Sequence, residues 1–263
     1  MKVEFQKYEG AGNDFIVIDN RRKTFPEPDS ELIARLCDRR FGIGADGIMI
    51  LKEHPEFDFE MVYYNRDGSK SLCGNGSRCI TRFAFEQGII GEKTTFVTTD
   101  GPHDAFISGD LVSLYMKEGI KVSRENGHFY ADTGSPHVVV FVENLDDFLV
   151  VEEGRKIRNS APFAKEGVNV NFVEWVEFPE APVLKIRTYE RGVEDETLSC
   201  GTGITASALV ADSLGKNSSD GYVKLLSRGG FQEVFFEPQN GVYNKVVLRG
   251  PARFVFKGEI DVD

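Results

Sequence analysis

Hydrophobic and β-branched residues recur along this chain in short alternating runs, which predict strands at residues 3–8, 15–19, 57–64, 95–99, 105–108 and 112–116 in the first half. The second half reads as strands at residues 129–132, 138–142, 168–174, 183–189, 222–226, 233–236, 245–249 and 252–256. Helical periodicity is scarcer. Residues 31–39 follow Pro28-Asp29-Ser30, with Ser30 the expected cap. Residues 77–87 end at Gly88, a residue suited to the left-handed turn that closes a helix. Residues 204–214 end at Gly215 and are apolar nearly all round, the pattern of a helix surrounded by protein. Residues 117–127 read as a connector.

Two passages repeat each other. Tyr64-Asn65-Arg66-Asp67-Gly68 leads into Leu72-Cys73-Gly74-Asn75-Gly76, and Tyr189-Glu190-Arg191-Gly192 leads into Leu198-Ser199-Cys200-Gly201-Thr202-Gly203. A weaker echo pairs Gly12-Asn13-Asp14-Phe15-Ile16-Val17 with Gly134-Ser135-Pro136-His137-Val138-Val139. The offsets, about 122 to 127 residues, indicate a duplicated domain rather than a short-repeat solenoid. The expected fold is α+β: two pseudo-symmetric domains, each a mostly antiparallel sheet or barrel wrapped around a central helix, with the active site in the cleft between them. Residues 1–117 plus about 252–263 would form the domain with the Cys73 helix, and residues 118–251 the domain with the Cys200 helix.

Charge and composition narrow the function. A net charge of −11 without a dense basic cluster argues against a nucleic-acid partner. No apolar run is long enough to span a bilayer, and residues 1–6 lack the apolar core of a signal peptide, so the expected setting is the cytoplasm. Thiols stay reduced there, and Cys37, Cys73, Cys79 and Cys200 lack the spacing of a structural zinc site. They are therefore buried or reactive thiols.

Both Cys-Gly-x-Gly turns fall between a strand and a helix. The free N–H groups and the dipole at a helix N-terminus favour an anion there, and they favour the thiolate of a cysteine at that end. Glycines permit close backbone approach. Two such turns facing each other could hold one carboxylate, with a sulfur on either side of the adjacent carbon. One thiolate would remove the α-hydrogen and the opposite thiol would return a proton, the developing charge being stabilised by the helix ends. A single turn of this kind commonly just holds a buried thiol; its repetition carries the inference.

These residues resemble the diaminopimelate epimerase family. The likeness rests on Gly10-Ala11-Gly12-Asn13-Asp14-Phe15, on the run from Asp38 through Phe41-Gly42-Ile43-Gly44 to Gly47, and on Asn65-x-Asp67-Gly68. It continues through Cys73-Gly74-Asn75-Gly76-x-Arg78-Cys79, Gly134-x-Pro136-His137, Asn169, Tyr189-Glu190-Arg191-Gly192 and Cys200-Gly201-Thr202-Gly203. The resemblance implies interconversion of LL- and meso-diaminopimelate, on the route to lysine and peptidoglycan, without a cofactor or a metal. It implies Cys73 and Cys200 as the acid/base pair, with His137 and Glu190 tuning or deprotonating the thiols. It further implies Gly74, Asn75, Gly201 and Thr202 around the α-carboxylate and amine, and Asn13, Asn65, Asn169, Glu190 and Arg191 around the distal amino-acid end. A homodimer is the assembly the resemblance suggests, with residues 254–256 as a candidate contact. Ser135 and Gly47 depart from the commoner pattern, at positions that contribute to the substrate pocket.

Structural readings stand beside these. His137 could be a satisfied core histidine, Asn13 and Asn65 could shape turns, Glu190 and Arg191 could form an exposed ion pair, and residues 41–47 could be a structural loop. The alternative functions are a proline or hydroxyproline racemase with the same two-cysteine chemistry, and a redox-sensing binding protein in which Cys73 and Cys200 pair.

Overall fold

Val3 and Phe5 alternate with exposed neighbours along the first strand and turn inward, as the two-residue period of a strand dictates. The computed structural model describes residues 1–217 and 221–262, so residues 218–220 and 263 of the expected domain ranges lie outside the described residues. In chain order the elements begin with β1 (Lys2–Gly10), β2 (Asn13–Asp19), α1 (Ser30–Cys37), β3 (Gly47–Lys52), β4 (Glu60–Asn65) and α2 (Gly74–Glu86). They continue with β5 (Lys93–Thr98), β6 (Gly101–Ser108), β7 (Leu111–Tyr115), β8 (Ile120–Glu125), β9 (His128–Asp132), β10 (Pro136–Phe141), α3 (Val150–Arg158) and β11 (Asn169–Val176). The last are β12 (Val183–Glu190), β13 (Asp195–Thr197), α4 (Gly201–Ser213), β14 (Tyr222–Ser227), β15 (Gly230–Gln239), β16 (Val242–Pro251) and β17 (Arg253–Asp261). The chain divides into two compact units, Met1–Leu114 with Gly250–Asp263, and Tyr115–Arg249.

In the first unit the strands follow the order β17–β1–β2–β3–β4–β5–β6–β7. Neighbours run antiparallel except β2 with β3 and β4 with β5. In the second unit the order is β8–β9–β10–β11–β12–β14–β15–β16, and β16 pairs back to β8, closing an eight-stranded barrel. Its two parallel pairs, β10 with β11 and β12 with β14, fall at the same places in the order. The fold is thus α+β, with two units of one topology. A short helix, α1 or α3, joins the strands of the first parallel pair in each, and a buried helix, α2 or α4, joins those of the second.

The buried helices explain the sequence pattern. Every residue of α4 from Ile204 to Ala211 is buried, matching its lack of a polar face. Helix α2 is equally enclosed yet carries Arg78 and Arg82, whose guanidiniums find internal acceptors. Both helices end in the same manner. Gly88 and Gly215 take φ of +67° and +63°, and the following N–H groups return to Ala84 and Ala211. This is the Schellman arrangement that satisfies the last carbonyls, and it needs the left-handed residue that glycine provides.

Several boundaries differ from the sequence expectation. Helices α2 and α4 start three residues before the predicted positions, so that Cys73 and Cys200 themselves occupy the N-cap. Asp29 rather than Ser30 caps α1, its carboxylate accepting from the Leu32 N–H at 2.8 Å. The expected connector at 117–127 contains β8, whose charged exposed face obscures its alternation. Strand β3 escapes the alternation test because Ile48–Leu51 are all buried, as befits a strand with a parallel neighbour and both faces covered.

Candidate active site

One cysteine turn belongs to each unit. Cys73 caps α2 in extended backbone, and its Sγ accepts a hydrogen bond from the Gly76 N–H at 3.4 Å. This is the orphan-donor geometry of a helix N-terminus, with sulfur in place of the usual oxygen. The second residue after it, Asn75, is buried and locked at both ends of its amide. Its Oδ1 accepts from the Arg78 guanidinium at 2.8 Å, and its Nδ2 donates to Asn13 Oδ1 at 2.6 Å. Asn13 Nδ2 in turn donates to Asp46 Oδ2 at 3.0 Å. Arg78 is wholly buried, so the chain of amides begins at a cation withdrawn from water.

That chain is anchored by a charged cluster. Arg39 contacts Asp14 at 2.6 Å and Asp46 at 2.9 Å, and Lys7 contacts Asp14 at 2.7 Å. Burial pushes the Asp14 carboxyl upward, but hydrogen bonds from Arg39 and Lys7 outweigh it and bring the pKa down to about 2. The loop at residues 41–47 thus brings Asp46 to Asn13. Asn65 ends β4, and its Nδ2 donates to Ser69 Oγ and Ser71 Oγ, both at 3.0 Å. At Gly47 a side chain has no room: a Cβ there would lie 2.5 Å from the Tyr63 ring and from the Tyr64 carbonyl oxygen.

In the second unit Cys200 occupies the corresponding N-cap of α4, and its Sγ lies 3.5 Å from Thr202 Oγ1. Thr202 Oγ1 is 2.9 Å from His137 Nε2 and 3.1 Å from Ser135 Oγ, and Ser135 Oγ is 2.9 Å from the same ring nitrogen. The other ring nitrogen, Nδ1, meets Asn171 Nδ2 at 3.2 Å. His137 is completely buried, and burial, aided by the positive charge of Arg191, pushes its pKa down from 6.5 to about 3. At neutral pH it is an uncharged, fully partnered imidazole. It is a satisfied core histidine, and it also sits two hydrogen bonds from a thiol.

Asn169, at the start of β11, donates to the Pro136 carbonyl at 3.1 Å and to Ser135 Oγ at 3.3 Å. Its Oδ1 accepts from the Arg191 N–H at 2.9 Å, which ties the end of β12 to β11. The Arg191 guanidinium donates to the Glu166 carbonyl at 3.1 Å. Glu190 closes β12, and its carbonyl accepts from the Glu194 N–H at 2.8 Å. Ser135 supplies a hydroxyl shared by His137, Thr202 and Asn169.

Each unit thus gathers its own share of the residues singled out in the sequence: Cys73, Gly74, Asn75 and Asn13 around one turn, and Cys200, Thr202, His137, Asn169 and Arg191 around the other. The other two cysteines stand apart chemically. Burial pushes the Cys37 thiol up to about 12 and the Cys79 thiol higher still. Asp46 and Asn171 were missed. Asn171 had a signal: in Val168-Asn169-Val170-Asn171 the two-residue period puts both asparagines on one face of the strand. Among the described residues, no group of three or more His, Cys, Asp or Glu side chains is placed to hold a metal ion.

A family model described as diaminopimelate epimerase matches residues 5–117 and 129–255. The diaminopimelate epimerase of Flavobacterium psychrophilum is 48% identical over 260 residues, covering 98% of this chain and 100% of that one. That of Aquifex aeolicus is 37% identical, with 98% of each chain covered. Among solved structures, a phenazine biosynthesis protein of the PhzF family from Bacillus anthracis aligns over 100% of both chains with a TM-score of 0.79 at 14% identity. A hydroxyproline epimerase from Agrobacterium vitis aligns over 100% of this chain and 93% of that one, with a TM-score of 0.71 at 15% identity. These two likenesses show a shared fold.

Proposed function

The chain belongs to the diaminopimelate epimerase family, and on that premise we propose that it interconverts LL- and meso-diaminopimelate with Cys73 and Cys200 as its two acid/base groups. The observation that carries the reading is the duplication of one device. In both units a cysteine occupies the N-cap of a buried helix at the same place in the same strand order. An α-hydrogen is weakly acidic, so its removal needs a base on one face of the carbon, an acid on the other, and donors aimed at the charge that develops on the carboxylate. Helix N-termini supply such donors, and they favour thiolate over thiol.

In this reading Gly74, Asn75, Gly201 and Thr202 hold the α-carboxylate and amine. Asn13, Asn65, Asn169, Glu190 and Arg191 hold the distal amino-acid end, Arg191 offering a planar fork to its carboxylate. His137 and Glu190 support the thiols. His137 does so as a neutral hydrogen-bonding group, in keeping with its depressed pKa. No cofactor enters the proposed mechanism. Oxidation of either thiol would remove an acid/base group, which favours a cytoplasmic setting; among the described residues no helix is long and apolar enough to cross a membrane. A homodimer through the exposed apolar residues 254–256 is proposed as well, and sedimentation of a Phe254→Lys variant as a monomer would support it.

The test is incubation of the reduced protein with LL-diaminopimelate in deuterium oxide. Inversion should appear together with deuterium at the α-carbon, and Cys73→Ser or Cys200→Ser should slow both by orders of magnitude. Folded, reduced protein that neither inverts nor exchanges this substrate overturns the proposal. Proline serves as the control: fold relatives named as proline and hydroxyproline enzymes keep that alternative in view, though at 15–16% identity they speak for the fold alone.

A further inference from the structure

We propose that Asn171 is a positioning residue that fixes the tautomer of His137, so that the His137 Nε2–H and the Thr202 hydroxyl together direct a hydrogen bond onto Cys200 Sγ. The inference deepens the reading above and rests on it for the role of Cys200. Asn171 Nδ2 lies 3.0 Å from the Val138 carbonyl oxygen, which can only accept, so this end of the amide is the donor. Its Oδ1, correspondingly, accepts from Thr188 Oγ1 at 2.9 Å. The second Nδ2 hydrogen then points at His137 Nδ1, 3.2 Å away, and that nitrogen must offer a lone pair. A neutral imidazole with a bare Nδ1 carries its proton on Nε2. The Nε2–H has hydroxyl acceptors at 2.9 Å in Thr202 and Ser135. A Thr202 oxygen that receives it keeps its own hydrogen free for Cys200 Sγ, 3.5 Å away.

Two further observations point the same way. The glycine that ends the second turn is dictated by this amide: a Cβ on Gly203 would lie 2.3 Å from Asn171 Oδ1. The fold itself does not demand polar residues here. The first unit has the same parallel pair in the same register, with Phe15 opposite Gly47 and Val17 opposite Met49, where the second has His137 opposite Asn169 and Val139 opposite Asn171. Phe15 and Met49 thus take the places of His137 and Asn171, and Met49 fills the space beside Gly76 that the amide fills beside Gly203. At these two matched positions the first unit is apolar and the second polar, so the His137–Asn171 pair belongs to the Cys200 side alone.

The chain has four histidines, so a ring-¹⁵N correlation spectrum of labelled protein can resolve His137 individually. The expected spectrum at neutral pH shows one neutral tautomer, protonated at Nε2 and bare at Nδ1. A proton on Nδ1, or an imidazolium, overturns the proposal. Asn171→Leu keeps the volume and removes both donors; it should abolish the single-tautomer signature. It should also slow alkylation of Cys200 and lower kcat by roughly ten- to hundredfold with KM little changed, the range in which partners that orient a histidine act. Asn171→Asp offers an acceptor to Nδ1 and should move the proton there, with kcat falling at least as far. Unchanged alkylation and kcat in a folded Asn171→Leu variant would also refute it. If the wild type fails to epimerise diaminopimelate while the Nε2–H tautomer and the Asn171-dependent alkylation persist, the substrate assignment falls and this inference stands.

Discussion

Burial of a neutral His137 makes the second unit sensitive to acid, by an amount that can be worked out. In the unfolded chain the imidazole titrates near 6.5, whereas in the folded one burial and Arg191 hold it near 3. Below pH 6.5 the unfolded state therefore binds a proton that the native state refuses. The stability His137 contributes is fully present above that pH and is lost as the pH falls toward about 3. The difference in proton uptake amounts to about 0.8 kcal/mol at pH 6 and about 2 kcal/mol at pH 5, approaching 1.4 kcal/mol per pH unit. The figure at pH 5 hardly changes for a native pKa between about 3 and about 4, since the unfolded imidazole dominates it. Carboxylates held low in the fold, such as Asp14 and Glu27 at about 2, lose their contribution as the pH falls through their own range, equally in wild type and variant, and so cancel from the comparison. The assay is urea denaturation followed by the fluorescence of Trp175, the single tryptophan, which lies on β11 beside the strand that carries His137. Between pH 7.5 and 5 the wild type should lose about 2 kcal/mol more than His137→Gln, which cannot titrate. Parallel curves for the two proteins would refute the claim that His137 is buried and neutral.

Further outcomes follow from the same structure. Alkylation of the native, reduced protein should spare Cys37 and Cys79, whose thiols burial holds protonated, and mass spectrometry should find them modified only after unfolding. Gly203→Ala drives a methyl group against Asn171 and should cost about 1–3 kcal/mol by calorimetry. Gly76→Ala should cost less, because the atom it meets is the flexible end of Met49; equal costs would contradict the packing described. Glu196→Ala strips the bidentate partner, at 2.7 Å to each oxygen, from the buried Arg187 guanidinium, and should lower the urea midpoint by an amount worth about 3 kcal/mol. Glu196→Ala unfolding at the wild-type midpoint would show that the carbonyls of Leu145, Asp146 and Phe148 suffice to hold that charge.

The sequence by itself determined the class of fold, the internal duplication and the two cysteines. These are properties of local pattern: two-residue alternation marks a strand with one wet face, an all-apolar helix must be enclosed, and a repeated Leu-x-Cys-Gly-x-Gly motif stands out wherever it folds. It was weakest where the pattern depends on neighbours brought from elsewhere in the chain. Strand β3 hid because both its faces are covered, β8 because charge masks its alternation, and α3 because its amphipathic stretch is short. The helix starts were misplaced for a related reason: only the folded backbone reveals that Cys73 and Cys200 are caps rather than residues of a preceding loop. Tertiary structure alone decided the surroundings of the residues proposed for catalysis. Arg78 orders Asn75 and Asn13 through a hydrogen-bond chain spanning 65 positions, and Asn171 reaches His137 from a strand that a parallel crossover sets beside it. Hydrogen-bond direction depends on which acceptor-only group faces which amide, and no spacing in a linear chain encodes that. The cysteines could be read from the letters; that Met49 packs beside Gly76 where Asn171 packs beside Gly203 could be read only from the packing.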